Sequence, residues 1–76
     1  MKELLTYIVA NLVSDPSAVS ITETEQEDEI TYELRVAPDD MGRVIGRHGR
    51  IAKEIRTVMK AAGNRENKKV SVEICD

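Results

Sequence analysis

Two glycines, Gly46 and Gly49, bracket the basic pair Arg47-His48, with the apolar pair Val44-Ile45 on one side and the amphipathic run from Arg50 to Met59 on the other. A step of this kind lets the backbone turn tightly and approach a ligand closely, because glycine has no Cβ to clash. A helix that begins after Gly49 presents its unpaired N–H groups at the same point, where they favour an anion. The combination of bare backbone, helix start and basic side chains suits a phosphate.

The chain has 76 residues, enough for one domain spanning 1–76 with a small core and no second catalytic lobe. Its formal charge of −3 conceals an asymmetry. Residues 1–40 carry two basic residues against ten acidic ones, a balance of −8, whereas residues 41–76 carry nine against four, a balance of +5. The second half therefore attracts polyanions that the first half repels, and nucleic acid is expected to bind weakly and in one groove. Nothing in the sequence is apolar for long enough to span a bilayer, so no membrane partner is expected. Thr6 and Asn11 interrupt the first apolar segment, which therefore does not read as a signal peptide. With a lone cysteine, Cys75, the expected compartment is a reducing cytoplasm.

In chain order, Met1, Leu4, Leu5, Ile8, Val9 and Leu12 repeat at helical spacing, and Ser14-Asp15-Pro16 is expected to stop that helix. Val19 and Ile21 alternate with polar residues, as do Ile30, Tyr32, Leu34 and Val36, which predicts two strands joined as an antiparallel hairpin. The polar link Gln26-Glu27-Asp28 lacks the Asn-Gly or Asp-Gly of the tightest hairpins and predicts a loose turn. Asp39 and Asp40 are candidate N-caps for a short helix from Met41 to Ile45. A longer helix follows from Arg50, with Ile51, Ala52, Ile55, Val58, Met59 and Ala62 on its apolar side and Gly63 as its C-terminal cap. Val70, Val72 and Ile74 predict a last strand. The order α-β-β-α-α-β predicts an α+β domain, a three-stranded mixed sheet with its helices packed on one face.

This order, together with the stretch G-R-V-I-G-R-H-G-R-I-A-K-E-I-R from Gly42 to Arg56, resembles the type II KH domain, whose signature is an apolar pair and then G-x-x-G between two helices. More narrowly, the whole chain resembles the small bacterial single-domain KH RNA-binding proteins of the KhpA (YlqC-like) family. Ala52 stands where the broader KH pattern often has a larger apolar residue three places after the second glycine. The resemblance implies that Gly46 and Gly49 give close backbone approach and that Arg47 and His48 meet the sugar-phosphate of about four unpaired nucleotides. It implies an aliphatic groove for the bases, walled by Val44, Ile45, Ile51, Ala52, Ile55 and part of the strand from Ile30 to Val36, with Arg50 and Lys53 beside it. It also implies a post-transcriptional regulator or RNA chaperone whose partners are single-stranded RNA and either a second copy or another KH-containing protein. No cofactor or metal is expected.

Competing readings rest on the same residues. A P-loop requires Gly-Lys followed by a hydroxyl residue, which Gly49-Arg50-Ile51 does not supply. Hydrolysis requires a nucleophile with a positioned base, and the single His48 has no evident partner. With no Phe or Trp and only Tyr7 and Tyr32, the chain lacks the aromatic platforms of an RRM or cold-shock surface. A helix-turn-helix DNA binder would place the acidic first half against duplex phosphates. Arg50, Lys53, Arg56 and Lys60 read first as a solvated helix face, and Cys75 has no second Cys or His beside it. The main alternative is a protein-interaction module that uses Met1, Leu4, Ile8 and Met59 as an exposed apolar patch.

Overall fold

A computed structural model describes residues 1–75. The sheet holds three strands, β1 (Ser20–Gln26), β2 (Glu29–Arg35) and β3 (Lys69–Cys75), in that order across the sheet. β1 and β2 are antiparallel, and β2 and β3 are parallel. Parallel neighbours need a long crossover, and here it is made by helices α2 (Met41–Ile45) and α3 (Arg50–Arg65). Helix α1 (Lys2–Ala10) precedes the sheet. The α+β class, the mixed sheet and the element order agree with expectation.

The register explains the one-sided packing. Ile30, Tyr32 and Leu34 of β2 stand level with Val70, Val72 and Ile74 of β3, so one sheet face is almost wholly apolar. Leu5 and Val9 of α1, Val13, Val44 of α2 and Ile55 and Met59 of α3 close over it. Each large aliphatic side chain buried there contributes about 2 kcal/mol. On β1 the same face carries only Ile21 before Glu23 and Glu25, so this strand remains an exposed edge. Burial, reinforced by the Glu23 carboxylate level with it across the strands, pushes the Tyr32 hydroxyl up to about 12. The acidic edge discourages strand addition from another chain.

Several local expectations are corrected. Helix α1 stops at Ala10 instead of running to Ser14, because the Asn11 side-chain amide donates to the Tyr7 carbonyl at 2.8 Å and ends the ladder early. The hairpin turn is tight: Gln26 pairs with Glu29, and Glu27 takes a φ of 46° to close a two-residue link. Asp40 caps no helix with its side chain. Its buried carboxylate instead accepts from the Ser14 amide (3.0 Å), the Ser14 hydroxyl (2.9 Å) and the Asp15 amide (3.1 Å), tying the base of α2 to the end of the first segment.

The fourth correction is Gly63, which lies inside α3 as that helix continues to Arg65. A Cβ at Gly63 would sit 2.4 Å from Val70 Cγ2 and 2.7 Å from the Lys68 carbonyl, so the glycine lets the helix pack tightly against the start of β3. The left-handed residue beyond the helix is Asn67, at φ 57°. On the apolar side of α3, Val58 is also displaced from expectation, being exposed. Among the described residues, no helix is long and apolar enough to cross a membrane.

Candidate nucleic-acid interface

Helix α2 ends because Gly46 takes φ 76°, ψ 177°, a combination open essentially to glycine alone. Gly46 is also crowded: a Cβ there would lie 2.3 Å from Ile51 Cγ1 and 3.0 Å from the Ile51 amide nitrogen. The chain then makes a single 3₁₀ turn over Arg47–Gly49, closed by the Gly49 amide donating to the Gly46 carbonyl at 3.2 Å. His48 (φ 58°) and Gly49 (φ 74°) are both left-handed. The sequence step foretold the glycines' freedom but not that His48 shares it. His belongs to the small group of side chains enriched in this conformation, which is the only signal that was available.

The turn leaves Arg47 and His48 exposed and delivers Gly49 as the N-cap of α3, with no side chain capping the first turn of that helix. The Arg50 amide donates to the Arg47 carbonyl, and the N–H groups that follow it in the first turn are open to an anion at the point where Arg47 and His48 project. Arg47, His48, Arg50 and Ile51 line one shallow hollow of about 390 Å³. Lys53 does not join them. It lies with Arg50, Glu54, Thr57 and Val58 around a neighbouring hollow.

The expected groove walls divide by burial. Ile45 is exposed and Ile51 half-buried, so both are open to a ligand. Val44, Ala52 and Ile55 are buried and support that surface from behind. Ala52, small as it is, is buried rather than open to solvent. The strand expected to contribute, residues 30 to 36, is the middle strand, and its apolar side chains Ile30, Tyr32 and Leu34 are covered. The strand edge beside α3 belongs to β3, where Arg56 Nε donates to the Val72 carbonyl at 3.2 Å. In the sequence Arg56 reads as part of a solvated helix face. Its contact became visible only when helix and strand were brought together.

Asp40 supports the site from its base. The Ser14 amide hydrogen bond, together with the Ser14 hydroxyl, the Asp15 amide and Arg43 (3.3 Å), holds the Asp40 carboxyl below the usual carboxylate range against the opposing effect of burial. On the far, open face of the sheet, the parallel register gathers Glu33, Glu73 and Cys75, whose donor atoms lie within 4.8 Å of one another. Cys75 has no second Cys or His beside it in the sequence, and its neighbours in space are carboxylates. A cation would find two carboxylates and a thiol there, although Arg35, 4.0 Å from Glu33, already supplies positive charge.

Comparison with known proteins agrees with this architecture. Residues 2–74 match the family model described as KhpA/KhpB, KH domain. The RNA-binding protein KhpA of Clostridium perfringens is 57% identical over 74 residues, covering 97% of this chain and 99% of that protein. The RNA-binding protein KhpA of Listeria monocytogenes is 49% identical over the whole of both chains. That of Chlamydia trachomatis is 47% identical over 100% of this chain and 97% of its own. No solved structure matches the chain significantly. A family model spanning nearly every residue and relatives close to half identical along their full lengths place this chain in the KhpA/KhpB family of KH-domain proteins.

Proposed function

We propose that the chain holds a short unpaired RNA segment, with its phosphates on the Gly46–Gly49 turn and its bases along the surface formed by Ile45, Ile51 and the α3–β3 seam. The observation that carries this reading is the turn itself: exposed Arg47 and His48 stand on a backbone forced left-handed at the uncapped start of a 16-residue helix. N–H groups of the helix start and the Arg47 guanidinium, with the His48 ring beside it, meet a phosphate, while the adjoining aliphatic surface suits base faces. The matched relatives are named RNA-binding proteins, which supports the same polymer. Replacing Arg47 and His48 together by Asp keeps both glycines and puts negative charge where a phosphate approaches. Asp, like His, is tolerated in the left-handed region, so stability should change by no more than about 1 kcal/mol. Fluorescence anisotropy with a short unpaired RNA should show affinity falling roughly tenfold or more. A double variant that melts normally and binds like wild type would refute the reading.

A second role, pairing with another copy or another KH protein, has its own observation. Met59, expected on the exposed patch, is fully buried, and its neighbour Val58 faces outward instead. Val58 (43% exposed) and Leu4 (38%) join Met1, Ala61 and Ala62 around a hollow of about 530 Å³, with Arg65 and Glu66 at its rim. Opposite charges beside an apolar patch suit a self-complementary contact. Wild type should then sediment at micromolar concentration as a dimer and Val58→Lys as a monomer. Equal behaviour of the two would remove this role.

A further inference from the structure

Among the basic residues spaced along α3, Arg56 alone is tethered to the sheet: its Nε donates to the Val72 carbonyl of edge strand β3, in partly buried surroundings. Among the described residues no carboxylate forms an ion pair with it. The single bond through Nε fixes the plane of the guanidinium and leaves the N–H groups of its two terminal nitrogens as a fork. Arg56 follows Gly49 by seven residues, which puts it two helical turns on, about 10 Å along the axis and within about 20° of the same helix face. An RNA strand whose phosphate rests on the Gly46–Gly49 turn and whose bases run along the α3–β3 seam passes this fork.

We infer that Arg56 is a base-reading residue that selects, a short way along from the loop phosphate, a base presenting two adjacent hydrogen-bond acceptors. This rests on the RNA-groove reading above. Among unpaired bases two fit: guanine through O6 and N7, and cytosine through O2 and N3. Adenine places an amino donor beside N7, and uracil separates its two carbonyls with an N–H, so each leaves half of the fork unmatched. A phosphate can also accept such a fork, but the exposed Lys53 and Lys60 already offer mobile charge to the backbone along the same helix, whereas a base edge is read only by a group held in one plane. The tether to Val72 gives Arg56 the fixed orientation that planar, two-point recognition requires.

The test uses the full chain and a short oligouridylate carrying a single G, C or A, with fluorescence anisotropy as the readout for wild type and Arg56→Lys. Wild type should bind the G-containing or the C-containing oligomer about tenfold more tightly than the A-containing or all-U ones. The gain should vanish when the preferred base is replaced by 7-deazaguanine or 3-deazacytosine, which lack one of the two acceptors. Arg56→Lys keeps the charge but loses the fork. It should level the set while holding oligouridylate affinity within about twofold, because Lys still neutralises charge without planar readout. If wild type binds RNA but shows no base preference, or if Arg56→Lys weakens every oligomer equally, base reading by Arg56 is overturned and the groove stands. Wild type failing to bind any oligomer overturns both. Should Arg56→Lys melt at a lower temperature, the deaza-base comparison on wild type decides the matter by itself.

Discussion

The two turns that flank α3 are built from the same parts and do different work. Each combines a glycine pressed against a neighbour with a left-handed residue that is not glycine: Gly46 with His48 before the helix, and Gly63 in its last turn with Asn67 just beyond its end. At the first turn the crowding partner is Ile51, in the next helical turn, and the left-handed run ends in solvent with Arg47 and His48 exposed. At the second the partners are Val70 and the Lys68 carbonyl, at the entry to β3, and the glycine is buried. The Gly63 carbonyl accepts there from both the Glu66 and Lys68 amides at 2.9 Å. One glycine ends a helix in an exposed basic turn, and the other lets a helix touch a sheet. The residue type does not distinguish the two uses; what packs against it does.

The sharpest test is a methyl group at each glycine. Gly46→Ala combines a backbone conformation that side chains scarcely adopt with a collision against Ile51, and should destabilise the fold by about 3 kcal/mol in chemical denaturation while also abolishing RNA binding. Gly49→Ala meets nothing within 4 Å and carries only the left-handed penalty, about 1 kcal/mol. If the two variants melt alike, the crowding at Gly46 is not what distinguishes them.

Gly63→Ala ranks between these. Alanine gains helix propensity of up to about 1 kcal/mol, but its Cβ collides with a backbone carbonyl that cannot swing aside, so a net loss of about 2 kcal/mol is expected. RNA affinity measured well below the melting temperature should be retained. A Gly63→Ala protein that is stable yet fails to bind would mean that both turns serve the ligand, and the contrast drawn above would dissolve.

The smallest effect concerns pH and the asymmetric support of the two turns. Asp40, at the base of α2, has a folded pKa below its unfolded value of about 3.9. Its stabilisation is therefore complete above the unfolded value and is lost as pH falls through the lower, folded one. Asp40→Asn should lower the melting temperature at neutral pH and flatten the acid limb of the stability curve below about pH 4. At the Asn67 turn the carboxylate contact is instead the partly exposed ion pair of Lys68 with Glu25. If Asp40→Asn leaves the acid limb unchanged, the carboxylate is not what ties Ser14 and Asp15 to α2.

Much of this molecule follows from local pattern. The alternation of Ile30, Tyr32 and Leu34, the repeat of Val70, Val72 and Ile74, and the amphipathic run after Arg50 specify strands and a helix because their periods match the pleat and the helical turn. Gly46 and Gly49 mark a turn and a helix start because few other residues reach those angles. The same residues carry the family's motif, which is why the fold and the family were legible before any coordinates. Local pattern could not say that Asp40 reaches back to Ser14 rather than capping its own helix, because that bond spans 26 residues. Nor could it say that Gly63 is a packing glycine, that Val58 and not Met59 faces outward, or that Arg56 leans on Val72. Each of these depends on which surface α3 turns toward β3, and that is set by the close fit of buried side chains across the whole core, where no residue's environment is determined by its sequence neighbours alone.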